Sequence, residues 1–296
     1  MRAQQTLAVL DGSNLAYRSF YAMEHLKTST GVYTGAVYGM VHMLRNIYAT
    51  LRPSHWVVAW DCKSASSFRR GLYPEYKATR VQKSSNMGGQ WKLLDELCAV
   101  LGVPTFRADT FEADDVIATA ASCEWARQRR VVVCTGDKDM AQLVDRAGTV
   151  LLYDSSKGLT DWEGVEERLG VPPDKVVDFL AIRGDTSDNI PGLKGIGPKR
   201  AQALLAEHGS VEGLLAFAPT SLKNPYPKIA AAADELRLWK ALTQLRVDVP
   251  LPDDLETAWR VKRPGIEERR AFYTKLEFDV ELRELAIEER KCKSVR

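Results

Sequence analysis

Five short apolar or β-branched runs punctuate the first half of the chain: "TLAVLD" (6–11), "HWVVAWD" (55–61), "PTFRA" (104–108), "RVVVCTGD" (130–137) and "TVLLYD" (149–154). Runs of this length without polar alternation read as strands covered on both faces, the pattern of parallel sheets. Between them, apolar residues recur at helical spacing over 35–51, 90–101, 113–127 and 138–145. The alternation predicts an α/β fold with a doubly wound, mostly parallel sheet. From about 160 onward the strand signals stop, and amphipathic segments at 161–169, 174–183, 198–207, 210–217, 225–243 and 265–276, punctuated by Gly and Pro, predict a helical C-terminal part.

Acidic residues fall where the strands end. Asp11 closes the first run, Asp61 the second and Asp137 the fourth, and ligands of open α/β sheets collect at the carboxyl ends of strands. "FEADDV" adds Glu112, Asp114 and Asp115 at a helix start, "GDKD" adds Asp139, and "GDTSDN" adds Asp185 and Asp188. A single such acid is ordinarily a helix cap. Nine at one rim would repel one another and raise one another's pKa unless cations were bound. Oxygen donors without Cys or His select hard ions, Mg²⁺ or Mn²⁺ rather than zinc, and so many of them suit more than one ion. Such a centre suits displacement at a phosphate ester.

Two further stretches choose the ester. "GLKGIGPKRAQALL" (192–205) has the helix-hairpin-helix pattern, with Gly195 and Gly197 around Ile196, Pro198 opening a helix and Ala201 at a close-packed position. Its glycines and helix start suit a phosphate, with Lys194, Lys199 and Arg200 beside the same nucleic-acid backbone. "SFRRGLYPEYKATR" (67–80) interleaves Phe68, Tyr73 and Tyr76 with Arg69, Arg70, Lys77 and Arg80, a mixture expected to grip phosphates and stack unpaired bases. Net charge is only +2, but from Cys62 to Lys92 seven basic residues face the single acid Glu75.

The chain of 296 residues, 45% hydrophobic and 27% charged, is long enough for one large domain and a smaller one, which excludes disorder as its main state. Its N-terminus lacks the features of a secretory signal and no run is long enough to span a bilayer, so a cytoplasmic monomer is expected. Cys62, Cys98, Cys123, Cys134 and Cys292 are scattered and read as reduced thiols; the four histidines carry no assigned chemistry.

The ordered motifs "LDGSNLAYRSFYA", "WDCKSASSFRRGLYPEYKATR", "FEADDVIATAA", "TGDKDMAQLV" and "GDTSDNIPGLKGIGPKRA" resemble the 5′ nucleases related to the amino-terminal domain of bacterial DNA polymerase I and to phage flap endonucleases. The resemblance implies a PIN-like α/β nuclease core at 1–160 with a basic arch at 67–92, and a helical DNA-binding part at 161–296. By motif, Asp11, Asp61, Glu112 and Asp114 would serve one metal, and Asp115, Asp137, Asp139, Asp185 and Asp188 a second or third. Lys77 and Arg80 would act on the scissile phosphate, and the hairpin would hold duplex with a bound K⁺. Expected substrates are 5′ flaps, nicks and ends and RNA–DNA hybrids, with 5′-phosphate and 3′-hydroxyl products and a separate polymerase and ligase, the chain being read as free-standing. One departure is "VQKSSNMGG": Gly88 and Gly89 are poor helix formers, so a less ordered or differently shaped arch is expected. Two other readings are a non-catalytic structure-specific DNA-binding protein and a PIN-type ribonuclease.

Overall fold

In the computed structural model, residues 5–62, 68–80 and 85–294 are described, with side chains as far as 291. The basic segment's Lys63 and Lys83 lie outside the described residues. Strands β1 (Thr6–Asp11), β2 (His55–Ala59), β3 (Thr105–Phe106), β4 (Arg130–Cys134), β5 (Val150–Asp154) and β6 (Gly158–Thr160) form one sheet in the order β3-β2-β1-β4-β5-β6. All neighbours are parallel except β5 and β6. The order reverses between β1 and β4, which opens a crevice beyond their carboxyl ends.

Successive side chains of a strand point to opposite faces, and here each face has its own core. Leu7, Val9, Val57, Val131 and Val133 join one cluster with Val116 and Ile117 of the helix Ala113–Ser122, Phe179 and Leu180 of Val176–Arg183, and Trp239 of Ala233–Thr243. Ala8, Leu10, Val58 and Val132 join a second with Phe20 of Gly12–Ala22, Met40 and Leu44 of Gly35–Leu51, and Leu94 of Gln90–Val100. Phe272, Tyr273, Leu276, Phe278 and Leu285 belong to this second cluster. Within the expected helical part at 161–296, the last two helices, Ile266–Lys275 and Asp279–Ser294, pack on the far face of the sheet.

Four elements differ from the sequence reading. Helix Gly12–Ala22, opened by the Asp11 carboxylate accepting from Asn14 N–H at 3.0 Å, is hidden in the sequence by Gly, Ser, Asn and aromatic residues of poor helix propensity. The expected helix at 113–127 breaks at Cys123, whose backbone is extended, and 138–145 is a 3₁₀ turn over Asp139–Leu143. In the arch, Ser85–Gly88 is helical despite Gly88, and the helix Gln90–Val100 follows. Packing outweighs propensity there: Met87 and Gln90 are buried, and the Gln90 amide accepts from Ala36 N–H at 2.8 Å and donates to the Asn86 carbonyl at 3.0 Å.

Candidate metal centre and nucleic-acid interface

A cleft of about 540 Å³ opens at the carboxyl ends of the parallel strands, lined by Asp11, Asp61, Asp114 and Asp137 with Lys77 and Arg80. Each acid is positioned by a short local device. Asp11 is buried; beyond its bond to Asn14 it accepts from the Thr135 hydroxyl at 2.7 Å, and burial pushes its carboxyl up to about 7 against these donors. Asp61 accepts from Ala113 N–H at 3.1 Å, which ties the end of β2 to the helix carrying Asp114. Burial holds Asp114 well above the usual carboxylate range, with Lys77 pulling the other way. Asp137 N–H donates to the Thr135 hydroxyl at 3.0 Å, and its carboxylate accepts from Asp139 N–H at 3.0 Å.

Four more acids pair with cations, two of them with the cleft-lining Lys77 and Arg80. Lys77 Nζ lies 3.1 Å from Glu112 and 3.8 Å from Asp188, and Arg80 donates to Asp188 at 2.9 Å. Lys138 Nζ lies 2.6 Å from Asp185 and 3.4 Å from Asp139. Burial opposes ionisation of Asp185, but Lys138 and the Ser187 donors outweigh it and hold its carboxyl below the usual range. Asp139 is pushed up to about 7 by burial and then by Asp137. Its Oδ1 is buried without a hydrogen-bond donor.

The structure sets four expected site residues apart. Asp115 is fully buried and its oxygens are taken: Arg69 binds it at 2.7 and 2.8 Å, and Arg246 N–H donates at 3.0 Å. Arg69, expected on DNA, is 1% exposed and also donates to the Leu242 and Gln244 carbonyls, so it pins the arch to the core. Tyr76, expected to stack a base, is 1% exposed, its hydroxyl 3.0 Å from Glu112 and 2.8 Å from Asp188. Tyr73 sets its ring edge-on to Trp239, with centroids 5.1 Å apart, and bonds Glu75. A long basic or aromatic side chain can serve an interior network as readily as a phosphate, and composition does not distinguish the two.

Sequence reading passed over other residues at the cleft. Asn14, Arg18, Asp154, Ser156 and Lys157 line it. Asn14 accepts from Gly136 N–H at 3.1 Å, and Arg18 binds Asp154 at 2.8 Å. The "GSN" after a strand-end Asp and the "DSSK" after the fifth run were the available signals.

The donor set fits hard divalent ions: all oxygen, crowded, and with carboxylates raised by burial that a cation would relieve. Among the described residues no three His, Cys, Asp or Glu side chains stand ready to hold an ion. Lys77, Arg80 and Lys138 instead compensate the acids.

In the hairpin, Leu193, Ile196 and Ala201 are buried, whereas Lys194, Gly195, Gly197, Lys199 and Arg200 are exposed. Gly195 has φ +81, a conformation other residues rarely adopt. Gly197 does not share that need: it is extended, with φ −83 and ψ 178. Gly192, which the motif did not single out, has φ +66, and a Cβ there would lie 2.3 Å from Gly184 N.

Comparison with known proteins matches both halves of the chain. The family model for the 5′-3′ exonuclease N-terminal resolvase-like domain matches residues 6–170, and that for the 5′-3′ exonuclease C-terminal SAM fold matches 171–267. The chain is 40% identical over 285 residues to the thermostable DNA polymerase I of Thermus filiformis, covering 94% of this chain and 33% of that protein. It is 39% identical over 263 residues to DNA polymerase I of Mycobacterium tuberculosis, covering 86% and 29%. It thus spans about a third of the length of these relatives. Among solved structures, T5 5′-exonuclease with bound zinc superposes with a TM-score of 0.70 at 22% identity, over 95% of this chain and 98% of that one. The catalytic core of Rad2 in complex with DNA substrate gives 0.61 at 16%, over 95% and 93%. The described residues contain no helix long and apolar enough to cross a membrane. With family models matching 6–170 and 171–267, the chain belongs to the 5′-3′ exonuclease family.

Proposed function

We propose that the chain hydrolyses phosphodiesters at 5′ flaps and 5′ ends of duplex DNA, and in RNA primers, leaving a 5′-phosphate and a 3′-hydroxyl in replication and repair. The observation that carries this reading is the cleft itself: carboxylates from separate strand ends face Lys77 and Arg80 of the arch across one opening. Asp11, Asp61, Asp114 and Asp137, with Glu112, Asp139, Asp185 and Asp188, are the residues proposed to hold Mg²⁺ or Mn²⁺. Bound there, such ions supply Lewis-acid activation of water and of the leaving oxygen.

The chain's own groups orient the substrate. Lys77 and Arg80 present donors to the phosphate that enters the cleft, and a charged donor binds phosphate about twice as strongly as a neutral one. The exposed N–H groups and lysines of the hairpin hold the duplex backbone without reading sequence, with K⁺ as a companion ion in its turn. Partner polymerase and ligase activities would fill and seal the product. T5 5′-exonuclease with bound divalent ions and Rad2 with DNA substrate share the fold.

Cleavage of a 5′-labelled flap duplex with and without Mg²⁺ or Mn²⁺, beside the matching single strand, tests the reading. Junction cutting that requires the ion is expected, and Asp137→Ala should abolish turnover while flap binding persists. Turnover by that variant at saturating Mg²⁺ would remove Asp137 from the metal site. Tight flap binding without any cutting by the wild type would make the chain a DNA-binding relative.

A further inference from the structure

Lys138 sits between two carboxylates that come from different parts of the chain. Its ammonium lies 2.6 Å from Asp185 Oδ2, 3.4 Å from Asp139 Oδ1 and 3.4 Å from Ser187 Oγ. Two of its three N–H groups donate, to Asp185 Oδ2 and Ser187 Oγ, and Asp139 Oδ1 stands within ion-pair reach without accepting a hydrogen bond from it.

The acids are held without it. Asp185 Oδ1 accepts from Ser187 N–H at 2.9 Å and from the Ser187 hydroxyl at 2.6 Å, which fixes the carboxylate and leaves Oδ2 for the lysine. Asp139 N–H donates to Asp137, so the backbone turn sets its position. Asp139 Oδ1 has no hydrogen-bond donor of its own. The Lys138 side chain keeps 31% of its surface exposed, whereas Asp185 keeps 2%, so the cation can leave through solvent while the acid cannot.

The geometry points to Lys138 as a tethered counter-ion that occupies the Asp139–Asp185 position and is displaced when a divalent ion enters. This inference rests on the reading of these acids as metal ligands. The lysine competes with the ion: it stabilises the metal-free protein, lowers the affinity of this position for cations, and after displacement carries its charge into the cleft mouth. Two ammonium groups divide the task, since Lys77 compensates Glu112 and Asp188 while Lys138 compensates Asp139 and Asp185.

Replacing Lys138 with methionine keeps much of the stem and removes the competitor. Mn²⁺ binding to the full chain without DNA, followed by isothermal titration calorimetry, should then tighten at one site by roughly tenfold, inside the roughly 5–150-fold span of coupled binding events. In EDTA the Lys138→Met melting temperature should fall, and the gain on adding Mn²⁺ should exceed that of the wild type. Lys138→Arg, which keeps the charge, should bind Mn²⁺ as the wild type does. A merely structural lysine would lower stability without tightening Mn²⁺ binding. Unchanged or weaker Mn²⁺ affinity in Lys138→Met, with Asp185→Asn weakening the wild-type affinity, would overturn the inference and leave the metal assignment standing. Wild-type Mn²⁺ binding that is absent, or indifferent to Asp185→Asn, would overturn both.

Discussion

Arg69 shows how a residue type can point to one role and take another. Its guanidinium is saturated by Asp115, Glu112 and the carbonyls of Leu242 and Gln244, in a setting that is 1% exposed. Removing one partner of such a pair leaves an uncompensated buried charge, at a cost of about 3–5 kcal/mol. Arg69→Met should therefore lower stability by that amount in urea denaturation, with a loss under about 1 kcal/mol placing Arg69 outside the group whose removal strands a buried charge. Asp11 and Asp139 make a second residue-level prediction. Folded, they keep their protons to about pH 7, while the unfolded chain releases them near the ordinary value of 3.8. Between those values the folded state binds more protons, so stability falls as pH rises. Without divalent ions the melting temperature should drop from about pH 5 to about pH 8, and added Mg²⁺ should recover more of it at the higher pH. A flat profile, or one unaltered by Asp11→Asn with Asp139→Asn, would show that these carboxyls are not raised.

Elements with a strong local signature were readable. β1, β2, β4 and β5 lie inside the five runs, because a strand buried on both faces must be continuously apolar. The edge strand β6 was not readable, since it has three residues, one of them the half-exposed Leu159. The strand-end acids were legible for the same reason as the strands. The split of roles within "FEADDV" was not: Asp114 faces the cleft and Asp115 the interior, and only the pairing with Arg69, 46 positions away, decides it. The hairpin was legible as a motif, though the steric demands fall on Gly192 and Gly195 rather than on Gly197. Gly195→Val should weaken duplex binding far more than single-strand binding, by fluorescence anisotropy; equal losses would mean that the turn does not select duplex.

The whole molecule is organised around a sheet whose first core runs from Leu7 and Val131 through Phe179 to Leu214 and Trp239 without a break. Elements that share one core unfold together. Tryptophan fluorine signals at Trp259 and at Trp239, both on the first core, should lose native dispersion at the same urea concentration. An earlier transition at Trp239 would mean that the hairpin region unfolds by itself. Tyr76 has a consequence at this scale too. Burial holds its phenol protonated, and the one hydroxyl lies against Glu112 at the start of a helix and Asp188 in a turn. One oxygen thus gathers two carboxylates from distant parts of the chain to a single point, and Lys77 spans the same pair. With a single proton to give, that hydroxyl serves one carboxylate at a time, so the two acids share a donor that burial keeps in place.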